Sequence, residues 1–399
     1  MSEALRIVIA GGGTGGHLYP GIAVAREVLR RKPDAVISFA GTSRGIEARA
    51  VPREGFALDL LRSSGLKGKS VIDRMRAAAL IPVGLADAWQ IIGRRKPHLV
   101  IGVGGYSSGP VVAAAPMRGV PAMLLEQNAV PGLTNRLLAP VSRAVAVTYD
   151  STRTFFGEKA FVSGNPVRPE FLTAVGHEKE ARASGAASGV GVLVFGGSQG
   201  AHAINVAMVE AAAKLAAGDS RIRLTHQTGE RDLEMVRAAY RQTGLQAEVE
   251  PFFYDMGARL GAADLIVCRA GATTLAELTA AGKPAILIPL PTATDDHQRK
   301  NAEALSSQGA AAILLQADLS GPALAERILG LAVDSQARGR MATAARALAR
   351  PDAARVIVDR ALELAGMWCR AGKHAASAFH RDWRHWHERH RGAPRESRL

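Results

Sequence analysis

Residues 7–16, IVIAGGGTGG, run a short apolar strand straight into a glycine-rich turn, and residues 192–200, VLVFGGSQG, repeat the device. Apolar runs of this length, closed by consecutive glycines, mark buried strands whose chain must turn sharply into a helix. Gly11, Gly13 and Gly16 satisfy G-x-G-x-x-G. Glycine there permits the tight turn, and the following helix N-terminus offers N–H groups and a positive dipole to a phosphate. Outward from these turns, strands are expected at 5–10, 36–40, 99–103, 122–125, 144–148 and 160–163. A second series follows at 191–195, 223–227, 247–251, 264–268 and 284–288. Helix-period segments such as 21–31, 201–217 and 273–281 lie between them. That alternation predicts parallel sheets with helices on both faces. The series resets at 165–189, where Pro166, Pro169 and an Ala/Ser/Gly-rich charged stretch read as a linker. The expected fold is α/β, two Rossmann-like domains facing across a cleft. A third glycine turn, GVGGYSSG at 102–109, follows a strand of the first half.

Composition agrees. The 399 residues suit two or three domains, and 47% hydrophobic with 22% charged residues is an ordinary globular balance. Aromatics at 5% and 42 glycines fit many strand-to-helix turns and argue against a β-sandwich or a disordered polymer. Cys268 and Cys369 are too far apart in sequence to suggest a metal motif or a disulfide framework, so a reducing compartment is expected. The net charge of +14 favours anionic partners. Nucleic acid is the weaker choice, because no zinc knuckle, basic zipper or aromatic-interleaved basic stretch is present. The first ten residues do not read as a signal peptide, and no apolar run reaches the roughly 18–20 residues of a membrane span.

The glycine turns admit two chemistries. A dinucleotide site needs an acid at the end of the second strand to hold a ribose, and Phe39-Ala40-Gly41-Thr42 supplies none. Gly196-Gly197-Ser198-Gln199-Gly200 also fits the G-x-S-x-G elbow of α/β hydrolases, with Asp264 and His297 as partners in the order Ser, Asp, His. Against that reading, the loop duplicates the first glycine turn, which favours Ser198 as a phosphate ligand. Glu277 follows Gly271-Ala272-Thr273-Thr274-Leu275-Ala276 at a helix start, where a carboxylate either accepts a ribose diol or complements the helix dipole. No D-x-D pair exists, so a metal-bridged diphosphate site is not expected; helix N-termini and basic side chains such as Arg168 would neutralise an anion.

Eight motifs in order identify a resemblance: GGTGGH (12–17), GLKGK (65–69), GVGGYSSGP (102–110), EQNAVPGLTN (126–135), GNPVR (164–168), GGSQGA (196–201), CRAGATTLAEL (268–278) and DHQRKNA (296–302). From about residue 6 to 366 the chain resembles the MurG family of GT-B-fold glycosyltransferases. These are the UDP-N-acetylglucosamine–N-acetylmuramyl-(pentapeptide) pyrophosphoryl-undecaprenol N-acetylglucosaminyltransferases. The resemblance implies no resident cofactor and an inverting, β-1,4 transfer onto lipid I that yields lipid II and UDP. It places Thr14, Gly15 and Gly16 at the donor diphosphate and sugar, with Asn128 reaching the N-acetylglucosamine. Arg168 and Ser198 would hold the diphosphate, the backbone of Phe253 would meet uracil, and Gln298 the sugar hydroxyls. Ala272, Thr273, Thr274, Leu275, Ala276 and Glu277 would form the ribose and α-phosphate loop.

Inversion needs a base for the attacking hydroxyl and charge stabilisation for the leaving diphosphate. His17 and Glu126 are rival bases, and His17 reads equally well as an acceptor-positioning residue. Gly104, Gly105 and Tyr106 are the acceptor-diphosphate candidates. The domains expected are 1–166, facing acceptor and membrane, 167–348, binding the UDP-sugar, and a helix at 349–366 returning to the first. The tail 367–399, rich in Arg, His and Trp, is expected to be a basic extension without fixed fold, with a membrane-surface helix as its alternative. The resemblance also implies a peripheral place on the cytoplasmic face of the bacterial inner membrane, beside other cell-wall synthesis proteins. Ile81, Leu85, Trp89 and Ile92 share one helical face, flanked by Lys67, Lys69, Arg74 and Arg76 before it and Arg94, Arg95 and Lys96 after it. That face is expected to touch anionic lipid or, alternatively, to pack into the core.

Overall fold

The computed structural model describes residues 3–63, 71–172, 189–197, 199–218 and 222–366, with the backbone alone for 71–79. Ser198, Lys67, Lys69, the rest of the GLKGK motif, residues 173–188 and the tail 367–399 lie outside the described residues, as do the side chains of Arg74 and Arg76.

Two parallel sheets organise the chain. The first holds β1 (Arg6–Ala10), β2 (Val36–Gly41), β3 (Ala57–Leu60), β4 (Leu99–Gly102), β5 (Ala122–Glu126), β6 (Ala144–Val147) and β7 (Ala160–Val162), in the order β3-β2-β1-β4-β5-β6-β7. The second holds β8 (Val190–Phe195), β9 (Ile222–Gln227), β10 (Ala247–Glu250), β11 (Leu265–Cys268), β12 (Ala285–Leu287) and β13 (Ala312–Ile313), in the order β10-β9-β8-β11-β12-β13. Each order doubles back beside its first strand, between β1 and β4 and between β8 and β11. In parallel α/β sheets, ligands bind outside the carboxyl ends of the strands at such a switch point.

Helices cover both faces. Those of the first half are α1 (Gly15–Arg31), α2 (Glu47–Arg53), α3 (Val71–Arg95), α4 (Ser108–Met117) and α5 (Leu133–Leu138). The second half adds α6 (His202–Ala216), α7 (Leu233–Thr243), α8 (Met256–Ala262), α9 (Ala272–Ala281), α10 (His297–Ser306), α11 (Gly321–Val333), α12 (Ser335–Leu348) and α13 (Ala353–Leu364). Strand side chains alternate between two cores. Ile7 and Ile9 join Leu18, Val24 and Val28 of α1. Val8 and Ala10 join Ile91 of α3 and Val111 and Val112 of α4. In the second sheet Val192 and Val194 pack on Ile204 and Met208 of α6, while Leu193 and Phe195 pack on Leu275 and Leu278 of α9. Burial on both faces explains why these strands read as unbroken apolar runs.

Three features depart from the sequence reading. Strands β3 and β13 were not foreseen: β3 carries Asp59 and lies at a sheet edge, and β13 is two residues long. Helix α1 begins at Gly15, six residues before the expected start. Residues 165–171 are no free linker, for Val167 and Phe171 are buried in the second-half core beside Leu260 and Ile266. Beyond α12, α13 packs Ile357, Val358 and Ala361 into the core of α1. Arg31 Nη1 donates to Asp359 Oδ1 at 2.6 Å across that contact.

Candidate active site

The carboxyl ends of both sheets open into one cleft of about 2130 Å³. A single small-molecule pocket holds roughly 300–1,000 Å³, so there is room for two sizeable substrates. All three glycine loops reach it: Thr14, Gly15, Gly16 and His17 from the first, Gly196 and Gly197 from the second, Gly104, Gly105 and Tyr106 from the third. Glu126, Asn128, Arg168, Phe253, Ala272, Thr273, Thr274, Glu277 and Gln298 complete the expected lining. Leu275 and Ala276 do not. Helical period turns them into the second core, where Leu275 is fully buried, and leaves Thr273, Thr274 and Glu277 toward the cleft.

His17 sits where the first and third loops meet. Its Nδ1 lies 3.1 Å from Thr14 Oγ1. Gly104 approaches so closely that a Cβ there would stand 2.9 Å from His17 Cδ2. Burial lowers the imidazole to about 4, with His297 facing it as a second cause, so the ring is neutral at pH 7. Gly104 and Gly105 adopt φ of 90° and 78°, a left-handed backbone that glycine takes without strain. The Tyr106 ring lies over Gly13, at van der Waals distance from where its Cβ would be.

Glu126 is a buried clamp. Its Oε1 accepts from Asn128 N at 3.0 Å and Asn128 Nδ2 at 3.2 Å. Its Oε2 accepts from Gly132 N at 3.0 Å and Asn135 Nδ2 at 2.9 Å. Burial holds its pKa above the usual carboxylate range, and these four donors offset only part of that rise. Such a carboxylate shapes the loop after β5 and is poorly placed to collect a substrate proton. Asn128 in turn meets the other half of the molecule. Asn301 Nδ2 of α10 donates to Asn128 Oδ1 at 3.1 Å, and Asn301 Oδ1 accepts from Ala129 N at 2.8 Å. Asn301 is fully buried. It went unnoticed as a site residue although it lies inside the DHQRKNA motif.

On the facing wall, α9 points its N-terminus into the cleft. Thr273 Oγ1 donates to the Gly16 carbonyl at 3.1 Å, joining the starts of α9 and α1. Arg168 Nη2 donates to Glu277 Oε1 at 2.9 Å, and the guanidinium stacks on Tyr19 and Phe171 at 4.9 and 4.5 Å from the ring centroids. Burial raises Glu277 to about 7, opposed by Arg168 and reinforced by Glu170. Phe253 donates its backbone N–H to Gln227 Oε1 at 2.9 Å. Gln298 Oε1 accepts from Leu290 N at 3.0 Å, which ties the loop after β12 to α10.

The hydrolase alternative fails on geometry. Asp264 Oδ2 accepts from Gly191 N at 2.9 Å, near the start of β8. The elbow lies beyond the other end of that strand, about 13 Å away over four residues. His297 Nδ1 is bonded to the Thr294 carbonyl at 2.6 Å instead of to an acid. Asp264 thus sits at the end of β8 opposite the glycine turn where a relay would need it.

Comparison with known proteins agrees with this geometry. Residues 7–147 match the glycosyltransferase family 28 N-terminal domain, and residues 191–357 match its C-terminal domain. The chain is 48% identical over 375 residues to the UDP-N-acetylglucosamine–N-acetylmuramyl-(pentapeptide) pyrophosphoryl-undecaprenol N-acetylglucosamine transferase of Pelobacter propionicus, covering 90% of this chain and 99% of that protein. It is 46% identical over 373 residues to the protein of the same name from Trichlorobacter lovleyi, covering 90% and 98%. Among solved structures, MurG of Acinetobacter baumannii superposes with a TM-score of 0.73 at 30% identity, covering 89% of this chain and 98% of that one. Two Rossmann-like sheets, three glycine loops on one cleft and these likenesses lead to one assignment: the chain belongs to glycosyltransferase family 28, and within it to the MurG family of UDP-N-acetylglucosamine-dependent N-acetylglucosaminyltransferases.

Proposed function

We propose that this protein is an inverting glycosyltransferase. It moves N-acetylglucosamine from UDP-N-acetylglucosamine to the muramyl 4-hydroxyl of undecaprenyl-diphospho-N-acetylmuramoyl-pentapeptide, releasing UDP. The observation that carries this reading is the meeting of α1 and α9, whose N-termini touch through Thr273 and Gly16 beside a neutral His17. Two helix N-termini aimed at one point suit a diphosphate leaving group, and a neutral imidazole suits a proton acceptor.

In this mechanism Glu277 accepts the ribose hydroxyls, and Arg168 turns from Glu277 toward the diphosphate. With its Nδ1–H donated to Thr14, His17 keeps the Nε2 lone pair for the attacking hydroxyl. The arriving diphosphate raises its proton affinity from the free-protein value, because a nearby negative charge favours the imidazolium. Glu126 holds the loop of Asn128, which reaches the sugar together with Gln298. The third loop, with Gly104, Gly105 and Tyr106, receives the acceptor diphosphate.

The acceptor arrives on a lipid, and the cleft offers a matching rim. Ile81 of α3 and Leu133 and Leu137 of α5 are exposed and line the same cleft. Trp89 is exposed on α3 beneath the Arg118 guanidinium, 4.4 Å from its ring centroid. Ile92 leaves this face, being buried with Ala88 and Ile91 in the first core. No helix among the described residues is long and apolar enough to cross a membrane. In this reading the exposed apolar rim and its basic flanks rest on an anionic leaflet. UDP is expected to raise the melting temperature without added divalent metal; absence of any shift would count against the nucleotide-sugar reading.

A further inference from the structure

Glu47, the first residue of α2, has a fully buried side chain outside everything assigned above. Its Oε1 accepts from both the amide and the hydroxyl of Thr42, each at 2.9 Å. Its Oε2 accepts from the Gly13 amide at 2.8 Å. No cation pairs with it among the described residues; three neutral donors occupy its two oxygens. The chain makes room for it with glycine. A Cβ on Gly41 would come 2.6 Å from Glu47 Cγ, and neither Gly12 nor Gly45 has space for one beside the carboxylate.

In sheets of this strand order, the amides of the loop after the first strand ordinarily face a phosphate of the ligand. Here a carboxyl oxygen of the chain itself accepts from one of them. We propose that Glu47 is a built-in substitute for that phosphate, a positioning residue that locks the first glycine loop as the platform for His17. The inference rests on the transferase reading and deepens it. The lock is transmitted by short steps. Gly13 precedes Thr14, which contacts His17 Nδ1. The Gly12 carbonyl presses on Gly105, where a Cβ would stand 2.7 Å away, and Gly104 presses on the His17 ring. The first loop, the third loop and the imidazole therefore form one stack with the Glu47 carboxylate behind it. With the Gly13 amide already satisfied, substrate diphosphates are directed to the other loop amides and to Arg168.

Glu47→Gln tests this at constant volume. If the single amide oxygen serves Thr42, the amide NH2 group confronts the Gly13 N–H, and the lock opens. The expected result is a fall in kcat of about tenfold or more, with the KM for UDP-N-acetylglucosamine within about twofold of wild type. In Glu47→Ala, added formate should restore part of the lost kcat by refilling the carboxylate position, with no effect on wild type. Thr42→Val removes one donor and leaves the Gly13 bond. It should keep its fold and show a smaller kcat loss in the same direction, so the proposal stays testable if Glu47→Ala does not fold. Wild-type kcat in both Glu47→Gln and Thr42→Val would overturn the inference, as would a loss confined to donor KM. Failure of the wild-type enzyme to transfer the sugar would instead overturn the transferase reading.

Discussion

Thr273 donates its hydroxyl to the Gly16 carbonyl, and that carbonyl is free to accept because Pro20, four residues further along α1, has no amide hydrogen. A proline that costs the helix one internal bond thus provides an acceptor at the cleft floor, where the two halves touch.

Thr273→Val removes the hydroxyl at nearly constant volume. A net hydrogen bond of about 1 kcal/mol corresponds to roughly a fivefold change in an equilibrium, and KM for the donor should rise by that order. Pro20→Ala, which returns an in-helix donor to Gly16, should raise KM in the same direction. Unchanged KM in both variants would show that the contact plays no part in donor binding.

In the proposed mechanism the Glu277 carboxylate must be ionised to accept two ribose hydroxyls, and burial raises it to about 7. UDP affinity, read by calorimetry, should fall as pH drops from 8 to 6, and Glu277→Gln should flatten that dependence. Glu277→Ala should cost on the order of 1.5–3 kcal/mol of UDP binding. The same group acts on stability with the opposite preference. Its folded pKa lies above the ordinary 4.5, so the folded state holds the extra proton, and this group's contribution is lost as pH rises from about 4.5 through 7. Melting curves of Glu277→Gln should lack that loss.

For His17→Ala, turnover should fall by about 10²–10⁴-fold, the usual contribution of a general base, with donor KM nearly unchanged. A fall below tenfold would demote His17 to a positioning residue. Burial also fixes its acid behaviour. Because the folded pKa is depressed to about 4 from 6.5, stability from the neutral ring is present above pH 6.5 and lost as pH falls toward 4.

The sequence carried most of this architecture because both sheets are covered on both faces. Strands such as β1 and β8 are unbroken apolar runs, and each ends in a glycine turn that marks its carboxyl end. The edges were harder to read. β3 pairs with one neighbour only, and its Asp59 is bonded to Arg95 of α3 at 2.8 Å, so its pattern looks like loop. The cleft residues were legible as motifs, but their partners were not. Nothing in sequence says that Arg168 meets Glu277 or that Asn301 meets Asn128, since those pairs are 109 and 173 residues apart: the first forms when the segment before β8 packs onto α9, the second only when the two halves face each other. Glu47 stayed hidden for another reason: it serves glycines at 12, 41 and 45 that look like ordinary turn residues until the carboxylate among them is seen.

The exposed rim of α3 should bind vesicles. Wild type is expected to co-sediment with anionic vesicles, less so at high salt. The Ile81→Glu/Trp89→Glu variant should bind less while melting normally, because both side chains are exposed. Unchanged binding in that variant, together with loss of binding on deleting residues 367–399, would move the anchor to the tail.

The most direct measurement follows the sugar itself. UDP-N-acetylglucosamine labelled in its N-acetylglucosamine is incubated with purified protein and an undecaprenyl-diphospho-muramoyl-pentapeptide in detergent, and products are separated by extraction into butanol. Label is expected to move into the lipid phase as a β-linked disaccharide, with one UDP released per sugar transferred and no transfer when the acceptor is omitted. Label remaining in the aqueous phase as intact donor or free sugar, with the acceptor unchanged, would contradict it.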